Sequence, residues 1–102
     1  MNQQIFKEIQ ALKRQILPNE RVILFGSQAR GDAREDSDWD LLVLLDKEKK
    51  TQEDEDNFAF PFVIMGWEYG TYVSVKLFTN KDWESNPSLL RYNVEREGIE
   101  IV

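Results

Sequence analysis

Two aspartates one residue apart, Asp38 and Asp40, follow a Gly26-Ser27 step with ten residues between Ser27 and Asp38. In an extended segment, residues i and i+2 project from the same face. Asp38 and Asp40 can therefore hold hard cations between them. Mg²⁺ favours a few carboxylates completed by water and phosphate oxygens. A pair of such ions can stabilise both the attacking and the leaving oxygen of an in-line displacement. Gly26 lets a phosphate come close to the backbone. Ser27 adds a hydroxyl and, at a helix start, a backbone N–H. Arg30 and Arg34 are candidates to neutralise phosphate charge. These residue types suit two-metal transfer chemistry at phosphorus.

Each part alone is weak. Aspartates at a strand entrance are common turn residues, and a D-x-D in a chain with 19 acidic residues needs support from its surroundings. Gly-Ser after a strand is often only a turn. The combination is specific because each part stands where the chemistry requires it. Two rival motifs fail on the same residues. Gly26 and Gly31 have P-loop spacing, but Asp32 stands where that loop needs lysine. An EF-hand built on Asp36, Asp38 and Asp40 would put Leu41 at the glycine position and Lys47 at the final glutamate position.

The elements that must position these residues read as an α/β sandwich around a small sheet, in the size range of one compact domain, 1–102. Ile5, Ile9, Leu12 and Ile16 recur at helical spacing, and Pro18 lies past the end of that helix. Arg21 to Phe25 reads as a buried strand stopped by Gly26. Gln28 to Asp36 is polar and suits a short helix. Leu41 to Leu45, apolar on both faces, reads as a second buried strand. Glu53-Asp54-Glu55-Asp56 opens a helix as a solvated acidic start. Phe58 to Trp67 is apolar nearly all round and predicts a buried helix with Pro61 in its first turn or at a kink. Thr71 to Phe78 alternates: Val73, Val75 and Leu77 face one way, and Tyr72, Ser74 and Lys76 the other. Asn86-Pro87 predicts an N-cap and first helical position, Gly98 the end of that helix, and Ile99 to Val102 an edge strand. Trp67, Tyr69, Tyr72 and Trp83 could form a contact surface, with core the expected use for most of them.

Composition narrows the chemistry. The chain has neither cysteine nor histidine, which removes disulfides, thiolate metal sites and the commonest general base. Acid–base and metal work must rest on Asp and Glu. A net charge of −6 argues against general attraction to nucleic acid. No signal peptide or membrane-spanning run is evident, so the expected location is the cytoplasm.

The stretch Gly26-Ser27-Gln28-Ala29-Arg30-Gly31, a spacer, then Ser37-Asp38-Trp39-Asp40-Leu41 resembles the G-S-x-A-x-G and S-D-x-D-L pattern of the DNA polymerase beta-like nucleotidyltransferase superfamily. The likeness is to its minimal, stand-alone branch, the MNT-domain or MntA-like proteins, and is looser beyond Leu45. It implies a small mixed sheet flanked by helices. It also implies Gly-Ser on the triphosphate of an NTP, Asp38 and Asp40 as catalytic Mg²⁺ ligands, and transfer of a nucleoside monophosphate with release of pyrophosphate. Active members usually carry a third carboxylate on the next strand, where it completes the metal site and can act as general base. Here the expected slot is Ser74, with Lys76 on the same face and Glu68 nearby in sequence. The gap leaves a weak enzyme, an enzyme completed by a partner, or a nucleotide-binding relic. The resemblance further implies a HEPN-domain partner in a toxin–antitoxin pair, the MNT protein moving AMP from ATP to a tyrosine of the toxin.

Overall fold

The structure is a computed structural model that describes all 102 residues. Asn2 caps the first helix, α1 (Gln3–Ile16), its side-chain oxygen accepting the Ile5 N–H at 3.0 Å. Ile5 and Ile9 are buried, and Leu12 and Ile16 pack at the edge of the core, as the helical stripe requires. The strand β1 (Arg21–Phe25) follows, then a single turn of helix, α2 (Ser27–Arg30). This turn is shorter than the helix expected over 28–36. Gly31 adopts φ 85° and its N–H closes on the Ser27 carbonyl, which ends the turn.

The strand β2 (Trp39–Leu45) starts two residues before the apolar run, because Asp40 is paired on both sides. A capped turn, α3 (Gln52–Asp54), leads through a π-helical segment (Glu55–Ala59) into α4 (Phe60–Glu68), with Pro61 in the first turn. The acidic start is not wholly solvated. Asp54 is buried and closes a capping box with Thr51, its Oδ2 accepting the Thr51 N–H at 2.8 Å while the Lys47 ammonium sits 3.0 Å away.

The expectation of a fully buried helix over Phe58 to Trp67 is corrected. Phe62 and Met65 are buried, but Phe60, Ile64 and Trp67 are exposed, Trp67 by 59%. α4 rests on the sheet with one side only, and nothing covers the other. Gly66 brings it close to the sheet: a Cβ there would lie 2.8 Å from Val73 Cγ2. Tyr69 and Tyr72 are also exposed, so of the four aromatics expected mainly in the core only Trp83 is buried.

After β3 (Val73–Thr79) comes a helix the sequence reading did not separate, α5 (Asn80–Ser85). Thr79 caps it, its hydroxyl accepting the Asp82 N–H at 3.1 Å. The last helix, α6 (Leu89–Glu97), is capped by Ser88, not by Asn86-Pro87, because the Ser88 hydroxyl takes the Arg91 N–H at 3.0 Å. Gly98 follows it, and β4 (Ile99–Glu100) is a short edge strand.

The sheet order is β3-β2-β1-β4, with β2 and β3 parallel and the other pairs antiparallel. The parallel pair requires a crossover, which the α3–α4 segment supplies. One face carries Val22, Leu24, Leu41, Val43 and Val73 under Ile5, Ile9, Phe62 and Met65. The opposite face carries Ile23, Phe25, Leu42 and Leu44 under Trp83 and Val94. Along β2 that second face continues from Leu44 and Leu42 to Asp40, which is only half-buried. No helix is long and apolar enough to cross a membrane.

Candidate active site

Asp40 sits on an inner strand. In register it has Phe25 on one side and Ser74 on the other. Neighbours across a ladder project from the same face, so Ser74 is the side chain beside the Asp40 carboxylate. Asp38 precedes β2 and is exposed. The next residue, Trp39, is buried, and its N–H donates to the Tyr72 carbonyl at 3.0 Å. The chain entering β2 is therefore fixed from both sides: by this bond, and by the buried Gln28, whose amide donates to the Ser37 carbonyl at 3.2 Å.

Gly26 lies against Asp40. Its backbone has φ 78° and ψ −162°, a region open almost only to glycine. A Cβ at Gly26 would stand 2.3 Å from Asp40 Oδ2. Ser27 opens α2 directly after it, half-buried. The strand end thus brings Gly26, Ser27 and Asp40 into one small patch, and the charge of Asp38 acts on Asp40.

Electrostatics mark the patch. Burial pushes the Asp40 carboxyl above its ordinary range and the Asp38 charge pushes it further, while Lys76 and Arg30 pull it down and Glu97 adds to the rise. Two neighbouring anions repelling in a half-buried setting are a site arranged for positive charge. The donor set fits Mg²⁺, which takes one or two carboxylates with waters and substrate phosphates. The set has no third acid: nowhere in the chain do three or more Asp or Glu side chains gather as a metal cluster.

One participant was not foreseen. Glu97, at the end of α6 and only 10% exposed, accepts the Gly26 N–H at 3.2 Å and the Arg30 guanidinium at 3.2 and 3.3 Å. Arg30 also contacts Asp32. Hydrogen bonding to Glu97, then to Asp32, holds the Arg30 pKa above its ordinary value. Arg30 therefore stands at the site already paired through Nε and Nη1, with Nη2 left over to meet a phosphate. Residue 97 lies 71 positions from residue 26, and no local spacing signals that contact.

The other candidates lie apart. Arg34 lines a separate cleft with Met1, Gln28 and Tyr69. Glu68 is exposed at the end of α4, and its charge acts on Tyr69. The charges acting on Asp40 are Asp38, Lys76, Arg30 and Glu97. Beside Ser74, a groove of about 270 Å³ runs past Tyr72, Phe60 and Val63.

Comparison with known proteins gives this arrangement its kinship. Residues 4–100 match the family model of the nucleotidyltransferase domain. The chain belongs to that family. A solved structure described as a minimal nucleotidyltransferase is 30% identical, covers 92% of this chain and 93% of its own, and superposes with a TM-score of 0.59. The crystal structure of a toxin–antitoxin with AMP-PNP covers all of this chain and 73% of that one, at 20% identity and a TM-score of 0.64. That likeness is one of fold. The protein adenylyltransferase MntA of Aphanizomenon flos-aquae is 44% identical over 45 residues, which span 44% of this chain and 30% of that protein. The α+β nucleotidyltransferase fold and the MntA-like, minimal character of the chain agree with the sequence resemblance.

Proposed function

We propose that the chain is a Mg²⁺-dependent nucleotidyltransferase. It moves a nucleoside monophosphate, AMP from ATP, to a hydroxyl of a partner protein. The partner proposed is the HEPN-domain toxin of a toxin–antitoxin pair, and the proposed location is the cytoplasm. The observation that carries the proposal is the contact of Gly26 with Asp40. A residue without a side chain, in a conformation reserved for glycine, leaves room for a carboxylate where Ser27 offers a hydroxyl. The AMP-PNP of the toxin–antitoxin neighbour and the adenylyltransferase name of MntA support the choice of nucleotide and partner.

In this reading Ser27 and the backbone at Gly26 receive the triphosphate. Asp38 and Asp40 would hold the cation. The acceptor hydroxyl oxygen bonds to the α-phosphorus as the bond to the β-phosphate oxygen breaks. Pyrophosphate leaves, and the hydroxyl proton passes to water. The cation, when bound, neutralises charge on the α-phosphate and the leaving group. Asp40 is pre-positioned because its backbone is held from both neighbouring strands.

Incubation with α-labelled ATP, Mg²⁺ and the partner tests this. Label should enter the partner and be lost on Asp38→Asn or Asp40→Asn. Equal labelling by both variants and the native chain would sink the proposal.

Ser74 favours a second reading, in which the chain neutralises its partner by binding without turnover. That reading expects a complex stable in EDTA and tolerant of Asp38→Asn. Complete dissociation on chelation counts against it.

A further inference from the structure

We infer that this site holds one divalent cation per bound nucleotide, on Asp38 and Asp40, and that Ser74, with Lys76 beyond it on the same face, stands where a second cation would need a carboxylate. The inference rests on the nucleotidyltransferase reading and specifies its metal stoichiometry.

Three observations carry it. The first is register. Asp40 pairs with Ser74 across the parallel β2–β3 ladder, so the neighbour that would share a second ion with Asp40 is a neutral hydroxyl. Hard cations are held by carboxylates and carbonyls, and a lone alcohol adds little to a site that must dehydrate Mg²⁺. The second is charge. Lys76 follows Ser74 on the same face, about 7 Å further along the strand by ordinary strand rise, in register with Leu42. An ammonium at that range repels a second dication and offers phosphate oxygens a positive contact of its own. The third is the commitment of the remaining acid. Glu97 is the carboxylate held against Gly26, and both its oxygens are engaged by Arg30, one of them also by the Gly26 N–H.

The donor count then decides how the cation arrives. Two carboxylates satisfy a minority of the six positions Mg²⁺ demands, and the triphosphate must supply others. Cation and nucleotide therefore bind together. Without nucleotide the site is weak. With it the site is complete for holding the triphosphate, but it lacks the ion that would activate the acceptor hydroxyl. Nucleotide affinity and turnover are thereby separated, the first retained and the second low.

Mn²⁺ as a probe for Mg²⁺, with AMP-PNP as the nucleotide, tests this on the full chain. Bound Mn²⁺ is counted by equilibrium dialysis, and pairs of ions are detected by spin–spin coupling in electron paramagnetic resonance. The native chain should retain one Mn²⁺ per bound AMP-PNP with no coupled pair, and at least about tenfold weaker Mn²⁺ binding without nucleotide. The Ser74→Asp, Lys76→Gln double variant should take up a second, coupled Mn²⁺. Two coupled ions in the native chain overturn the inference while leaving the nucleotidyltransferase reading standing. A double variant that binds nucleotide yet still holds one ion also overturns it. If neither Mn²⁺ nor AMP-PNP is retained by the native chain, the parent reading fails instead.

Discussion

Gly26→Ala should damage both the fold and the site, and the two effects can be measured apart. At φ 78° and ψ −162° an L-residue is strained, at a cost on the order of 1–3 kcal/mol. The new methyl would also meet Asp40 Oδ2 at 2.3 Å. Ordinary contact for such a pair begins near ~3.4 Å, so the carboxylate must retreat by roughly 1 Å. A misplacement of that size costs on the order of a hundredfold in rate when the displaced group orients the reacting atoms. Strain alone should lower the melting temperature by roughly 5–20 °C for a chain of this length. Urea denaturation gives the stability term, and incorporation of α-labelled ATP at a temperature where both chains are folded gives the catalytic one. A variant within about 0.5 kcal/mol of the native chain would refute the argument from backbone conformation. Loss of stability with undiminished transfer would refute the argument from crowding of Asp40.

Other expectations follow from the same geometry. Glu97→Ala removes a charged acceptor from the Gly26 N–H and should cost about 1.5 kcal/mol in urea denaturation. Glu97→Gln keeps an acceptor oxygen and should cost less than half as much. Asp54→Ala strips the capping box that closes over Thr51 and should cost about 1–2 kcal/mol in the same assay. The Thr51 backbone N–H, opposed by burial and helped by Lys47, holds the Asp54 carboxyl below its ordinary range. Its stabilisation is therefore present above the unfolded value near pH ~3.9 and is lost as pH falls through the lowered folded value, so Asp54→Asn should flatten the acid limb of stability against pH. Asp40 has the opposite sign. Its raised carboxyl favours the fold below the unfolded value and loses that advantage as pH rises through the folded one. At pH 7 without divalent cations, Asp40→Asn should melt at or above the native temperature even as it abolishes transfer.

Much of this was legible because strands obey a period of two. β1 has the bounds its apolar run indicates, and the alternation over Val73, Ser74, Val75 and Lys76 put Ser74 and Lys76 on one face before any register was known. Register then set Ser74 beside Asp40. Three features escaped. α5 was masked because Thr79 ends a strand and caps a helix at once, though the spacing of Thr79 and Asp82 was the available signal. Asn86-Pro87 and Ser88 compete as helix starts, and local chemistry alone does not rank them. Glu97 reaches the site only because α6 folds back across the sheet, and long-range placement of that kind leaves no mark in neighbouring residues. The outer side of α4 misled for another reason: apolar residues all round a helix state what can be buried, not what is.

The place of Ser74 on an edge strand separates two properties that proteins usually trade against each other. Asp40 is gripped by ladders on both sides, so altering its surroundings disturbs the sheet. Ser74 is half-buried on the outermost strand, with no further strand beyond it. In the proposed reading, an exchange at Ser74 touches the cation's surroundings while breaking no second ladder of the sheet. The proposed metal setting can therefore be altered from the edge strand without rebuilding the scaffold that grips Asp40.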